Sequence, residues 1–185
     1  MNNLGIPSLE KNKNAFLIID VQENFIPVID NIEQVISNIN ILSKVSETLN
    51  IPLIVTEQYP QGLGHTTEKI TLPKNTKIIE KISFSCFGSD EFTTLIKNMK
   101  IDTLFIAGIE AHICVLQTVL DALENNIQIH LITDAISSRT LKNKNIAIKR
   151  IEQTEAFISS TEMLTFQLLK KAGTDEFKTI SKLFK

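Results

Sequence analysis

The chain has 185 residues, enough for one domain with a substantial core. Its 19 Lys and Arg against 21 Asp and Glu leave a net charge of −2. No basic tract is dense enough to follow a phosphate backbone, so nucleic-acid binding is not expected. No apolar run reaches the ~18 residues of a membrane span, and no stretch has the length of a signal-peptide core, so a soluble, cytoplasmic protein without membrane contact is expected.

Residues 1–13 read as an N-terminal extension. The first strand is expected over residues 15–19, whose continuous apolar run AFLII suggests burial on both faces. Residues 31–49 place Ile32, Val35, Ile36, Ile39, Leu42, Val45 and Leu49 at spacings of three and four, one face of a helix. Further strands are expected over 52–56, 77–79, 103–107 and 127–133, with a weaker sixth over 156–159. Helices are expected over 90–98, 113–124, 144–154, 161–171 and 175–184. This alternation of strand and helix builds a parallel sheet from βαβ units, an α/β fold in one domain spanning 1–185.

In such sheets the ligand site lies beyond the carboxyl ends of the strands. That rule selects Asp20, the loop from Glu57 to Gly64, Lys81, Cys114 and Asp134. Cys114 sits where a strand and turn lead into a helix, a setting whose free N–H groups favour a thiolate nucleophile; a buried filler is the competing reading. Lys81, between Ile79, Ile82 and Phe84, is placed to hold a thiolate and an aspartate together, unless it is an ordinary exposed lysine. Asp20 can serve as general base for the thiol or as a turn residue.

The remaining candidates are weaker. His112 lies two residues from Cys114, too close in sequence for a dyad, and reads as a rim or subunit-contact residue; His65 reads as a substrate contact and His130 as structural. Three scattered histidines without ligand spacing point away from a metal site, and the lack of GxGxxG or GxxxxGK[ST] points away from a nucleotide cofactor. The two cysteines, Cys86 and Cys114, lack CxxC spacing and read as reduced thiols; Cys86 is either packed near the site or redox-active.

IIDVQENF (18–25), TEQYPQGLG (56–64), EKISFSCF (80–87), GIEAHICVLQT (108–118), DAISSR (134–139) and the tail from Arg150 together resemble the isochorismatase-like cysteine hydrolase superfamily, and within it the isochorismatase domain-containing proteins. The likeness runs from about Asn14 to the end of the chain. It implies a Rossmann-like, three-layer αβα fold with a six-stranded parallel sheet, and a catalytic triad at Asp20, Lys81 and Cys114. It also implies a non-proline cis peptide at Glu110–Ala111, with the N–H groups of Ala111 and Cys114 forming an oxyanion hole. Ala111 stands where other members carry threonine, and the loop TEQYP lacks the Asp/His metal cluster of the nicotinamidase branch, so no metal is expected.

The expectation is therefore a cofactor-free hydrolase of a small amide, carbamoyl or related C–N substrate working through a Cys114 thioester. Gln22, Phe25, Tyr59 and Phe84 are the candidate substrate contacts. Two alternatives stay open: vinyl ether hydrolysis of the isochorismate type, for which family members commonly lack the cysteine, and a non-catalytic binding or interaction protein. The resemblance also implies a homo-oligomer, a dimer or tetramer. Phe177, Ile180, Leu183 and Phe184 of the C-terminal helix would serve either that interface or packing within the subunit.

Overall fold

A computed structural model describes residues 13–184; the extension expected over 1–13 lies, apart from Lys13, outside the described residues. Six strands, β1 (Asn14–Ile19), β2 (Leu53–Gln58), β3 (Lys77–Lys81), β4 (Thr103–Gly108), β5 (Gln128–Ile136) and β6 (Phe157–Ser159), form one all-parallel sheet in the order β3-β2-β1-β4-β5-β6. The chain winds outward from β1 to β3, then returns to the other side of β1 for β4. The crevice at the carboxyl ends of β1 and β4 is the topological switch point.

Alternation within β1 explains why the sheet is covered twice. Phe16 and Ile18 face a core shared with Val35, Ile36, Ile39 and Leu42 of helix α1 (Ile32–Leu49). Leu17 and Ile19 face the opposite core, with Phe92 and Ile96 of α3 (Asp90–Met99) and Val119 of α4 (Leu116–Glu124). Every residue of β1 is buried, as its unbroken apolar run requires. A short helix α2 (Pro60–Leu63) lies in the loop after β2, and α5 (Leu141–Ile151), α6 (Thr161–Leu169) and α7 (Asp175–Ile180) complete the layers.

Several boundaries differ from those expected, for local reasons. The helix expected from 144 begins at Leu141, because the Thr140 side chain accepts from the Asn143 N–H and caps it. The helix expected over 113–124 is two elements, a π-helical turn Ala111–Val115 followed by α4. β3 extends to Lys81 itself, and β5 extends past Asp134. Asp134 is thereby drawn into the scaffold: its Oδ1 accepts from the N–H and Oγ1 of Thr161, fastening the start of α6. In the C-terminal segment Ile180 is fully buried, and Phe177 and Phe184 pack on the α1-side core, so most of that apolar face serves the subunit itself.

His130 stands in β5 between the rings of Phe105 and Phe157, as the structural reading expected. The Gln128 amide donates to its Nε2, and its Nδ1 is buried without a partner. Burial pulls its pKa down from the ordinary 6.5 to about 4. The folded protein thus refuses a proton that the unfolded chain accepts between these values, so this contribution to stability is complete above pH 6.5 and is lost as pH falls towards 4. The difference amounts to roughly 3 kcal/mol. Denaturant melts at pH 7 and pH 4.5 should show a steeper loss of stability in the wild type than in His130→Leu; equal losses would refute it.

Candidate active site

Asp20 follows the last residue of β1 with left-handed backbone, φ 54°, a conformation that Asp tolerates better than most residues. Its carboxylate is buried and held from two neighbouring strands. Thr56 Oγ1 of β2 donates to Oδ1 at 2.7 Å, and Lys81 Nζ, from the last residue of β3, donates to Oδ2 at 2.7 Å. The Lys81 side chain has no exposed surface. Its ammonium also lies 2.8 Å from Gln58 Oε1, 3.2 Å from the Phe84 carbonyl and 3.3 Å from the Ser83 carbonyl, so four oxygen acceptors surround three N–H bonds.

Cys114 enters from the other side of the switch point, within the π-helical turn, and keeps 7% of its surface exposed. Burial, and next the charge of Asp20, push its thiol far above the ordinary range, while the Lys81 ammonium opposes the shift. At rest the sulfur is therefore protonated, within the field of the Asp20 carboxylate. Cys86 lies deeper, fully buried, its Sγ 3.9 Å from Thr56 Oγ1 and its N–H donating to Thr118 Oγ1 at 3.0 Å. Burial raises it to about 11, with Lys81 pulling the other way.

The two halves meet through Gly108, the last residue of β4. Its φ is +118°, and a Cβ there would lie 2.2 Å from the Ile19 carbonyl oxygen, so only glycine fits. The next residue, Ile109, donates its N–H to that same carbonyl at 2.8 Å. The turn carrying Cys114 is in this way tied to the residue that precedes Asp20.

The Isochorismatase domain family matches residues 14–163. Isochorismatase family protein 1A of Dictyostelium discoideum is 39% identical over 181 residues, covering 95% of this chain and 88% of that protein. The chain belongs to the isochorismatase family. Among solved structures, the MAR1 ribonuclease of Caenorhabditis elegans matches with a TM-score of 0.88 at 35% identity, over 95% of this chain and 91% of that one. The YcaC gene product of Escherichia coli, described as an octameric hydrolase of unknown specificity, shares the fold at a TM-score of 0.82 and 18% identity, over 96% of this chain and 90% of that one.

In this isochorismatase-family chain the turn differs from the expected one in two respects. The cis peptide is Ile109–Glu110, one bond earlier than Glu110–Ala111. The Ala111 N–H donates to the Ser137 carbonyl at 2.7 Å, which ties it to the end of β5 and removes it as an oxyanion donor. Glu110 likewise anchors the turn: its buried carboxylate accepts from the Arg139 N–H at 2.9 Å and from Arg139 Nε at 3.1 Å. His112 turns to Ser138 and Asn143, engaging both ring nitrogens away from Cys114.

Gln22 requires a correction as well. It is fully buried, its Oε1 accepting from the Gln58 N–H and its Nε2 donating to the carbonyls of Gln58 and Gly64. With every polar atom of its amide engaged, it is a strut for the loop after β2 and not a substrate contact. Tyr59 and Phe84 are more than half exposed at the ends of β2 and β3, whereas Phe25 packs partly against the α1-side core. His65 is exposed and pairs through Nδ1 with buried Glu57, whose other oxygen accepts from Thr66. Among the described residues no three His, Cys, Asp or Glu side chains gather as a metal site. Thr56 lay outside the residues selected at the strand ends, and Gln58 fell within the selected loop without a role of its own, although both stand at the carboxyl end of β2.

Two expectations follow from these contacts. Acrylamide at neutral pH should modify Cys114 and spare Cys86 in the folded protein, as read by peptide mass mapping; preferential labelling of Cys86 would contradict the burial order. Gly108→Ala should cost more than about 3 kcal/mol in denaturant unfolding, since backbone strain and a clash with a carbonyl oxygen combine there. A wild-type midpoint in that variant would show that the strand ends can separate freely.

Proposed function

We propose that this protein is a cysteine hydrolase of small amide, carbamoyl or related C–N substrates, with Asp20, Lys81 and Cys114 as its catalytic groups. The observation that carries this reading is the Cys114 thiol set beside a buried carboxylate that a buried ammonium holds in place. Asp20 takes the thiol proton as the sulfur attacks the substrate carbonyl carbon, and Lys81 offsets the negative charge that stays within the pair. The oxyanion is received by N–H groups of the turn, with that of Cys114 as the first candidate now that Ala111 is engaged. Protonated Asp20 returns its proton to the leaving nitrogen, which departs as the C–N bond breaks. Water then attacks the thioester, giving a proton to Asp20, and the released thiolate recovers it.

Retention of the thiol beside its base favours this over vinyl ether hydrolysis, in which a proton alone is transferred. The C. elegans relative is named a ribonuclease. For this chain that activity is the weaker reading, because a net charge of −2 offers no steering to a polyanion and the Lys81 ammonium is already bound to Asp20. The reading includes a cytoplasmic homo-oligomer that needs no cofactor, supported by two unpaired thiols and by the oligomeric bacterial protein of the same fold. No helix among the described residues is long and apolar enough to cross a membrane.

A panel of small amides, ureides and carbamates, with isochorismate and a short RNA as comparators, tests the proposal. Turnover should appear in the C–N group, with an acyl adduct on Cys114 in intact-protein mass spectra. Cys114→Ala should lose more than about 10³-fold in kcat, and Asp20→Asn about 10²–10⁴-fold. Undiminished turnover by Cys114→Ala would exclude the thioester route.

A further inference from the structure

Three of the four acceptors around the Lys81 ammonium lie outside the proposed triad. Asp20 supplies a single acceptor, and a flexible four-carbon stem does not fix where the other two N–H bonds point. Two backbone carbonyls lie at 3.2 and 3.3 Å, whereas Gln58 Oε1 lies at 2.8 Å, close to the 2.7 Å of the carboxylate.

Gln58 is itself held at every polar atom. Its side-chain Nε2 donates to the Ile82 carbonyl at 2.6 Å, which fixes Oε1 as the atom facing the ammonium. Its backbone N–H and carbonyl are gripped by the Gln22 amide at 2.7 and 3.0 Å, and Gln22 reaches on to the Gly64 carbonyl. Gln58 is almost wholly buried, so water does not readily replace it. A neutral oxygen has a particular merit here: a second carboxylate at this place would compete with Asp20 for the same cation, while an amide orients the ammonium and leaves its charge to the Asp20–Cys114 pair.

We infer that Gln58 is a positioning residue for the reaction, aiming the Lys81 ammonium at Asp20 and Cys114, with Gln22 as the strut that keeps it in register. The inference rests on the Asp20–Lys81–Cys114 reading proposed above. It also gives the buried Gln22–Gln58 pair a purpose beyond loop fastening.

The rate of acrylamide addition to Cys114 across pH gives a readout that needs no substrate. Gln58→Met keeps the length of the side chain and removes the acceptor. Its labelling should be about tenfold slower than that of the wild type at each pH tested, and Gln58→Leu should do the same despite its different shape. A merely structural role would lower the thermal midpoint and leave the pH-dependent labelling rate in place, which would overturn the inference. Asp20→Asn separates the levels: losing the carboxylate charge and leaving the ammonium unpaired should speed labelling; if the variant labels at the wild-type rate or slower, the triad reading fails and this one with it, whereas faster labelling in Asp20→Asn beside an unchanged rate in both Gln58 variants sinks the role of Gln58 alone. In the wild type, a through-hydrogen-bond coupling between Lys81 ¹⁵Nζ and Gln58 ¹³Cδ is expected, and its absence would count against the contact even if neither variant folds.

Discussion

The buried ion pair between Asp20 and Lys81 is the constraint around which this molecule is arranged. Taking a carboxylate and an ammonium out of water costs several kcal/mol per ion, and their mutual attraction recovers that only with good geometry and further hydrogen bonds. Both conditions are met: the pair is 2.7 Å apart, Thr56 satisfies the free carboxylate oxygen, and Gln58 with two carbonyls surrounds the ammonium. Three adjacent parallel strands each end at a residue that belongs to this cluster. Their register therefore holds the cluster together, because a slip of one residue would turn Lys81 or Thr56 to the opposite face.

The electrostatics of the thiol follow from that pair. A cysteine beside an unpaired lysine would ionise readily; here the nearest negative charge, and burial before it, keep the proton on sulfur. The site stores its proton between Cys114 and Asp20, and the ammonium makes either distribution tolerable. Such a thiol suits a reaction in which proton removal accompanies attack. Cys86 feels the same two charges from a fully buried position, and it contributes packing under the pair.

Sequence reasoning located much of this because chemistry and topology agree at strand ends. The unbroken apolar run of β1 announced a doubly covered strand, and Asp20, Lys81 and Cys114 each stand at the carboxyl edge of the sheet. What escaped it depended on hydrogen-bond partners that no periodicity encodes. Gln22 was read as a substrate contact since it lies beside Asp20, but its amide is bound to backbone that is 36 residues away along the chain. The family resemblance places the Ala111 N–H in the oxyanion hole, while that N–H is claimed by the residue just after β5. Helix boundaries moved where a side chain overruled periodicity, as Thr140 does at α5.

Gly108 joins these themes in one residue. The close approach of β4 to the Ile19 carbonyl closes the centre of the sheet, and the same approach carries the cysteine turn to Asp20. Closing the sheet at this point therefore also brings the cysteine turn up to the end of β1. Over evolutionary time, such a protein loses its chemistry by exchanging a reactive side chain on an intact frame, and not by gradual drift of the frame. A descendant that abandoned catalysis for binding would keep this glycine and the shape of the crevice, and would differ at the sulfur.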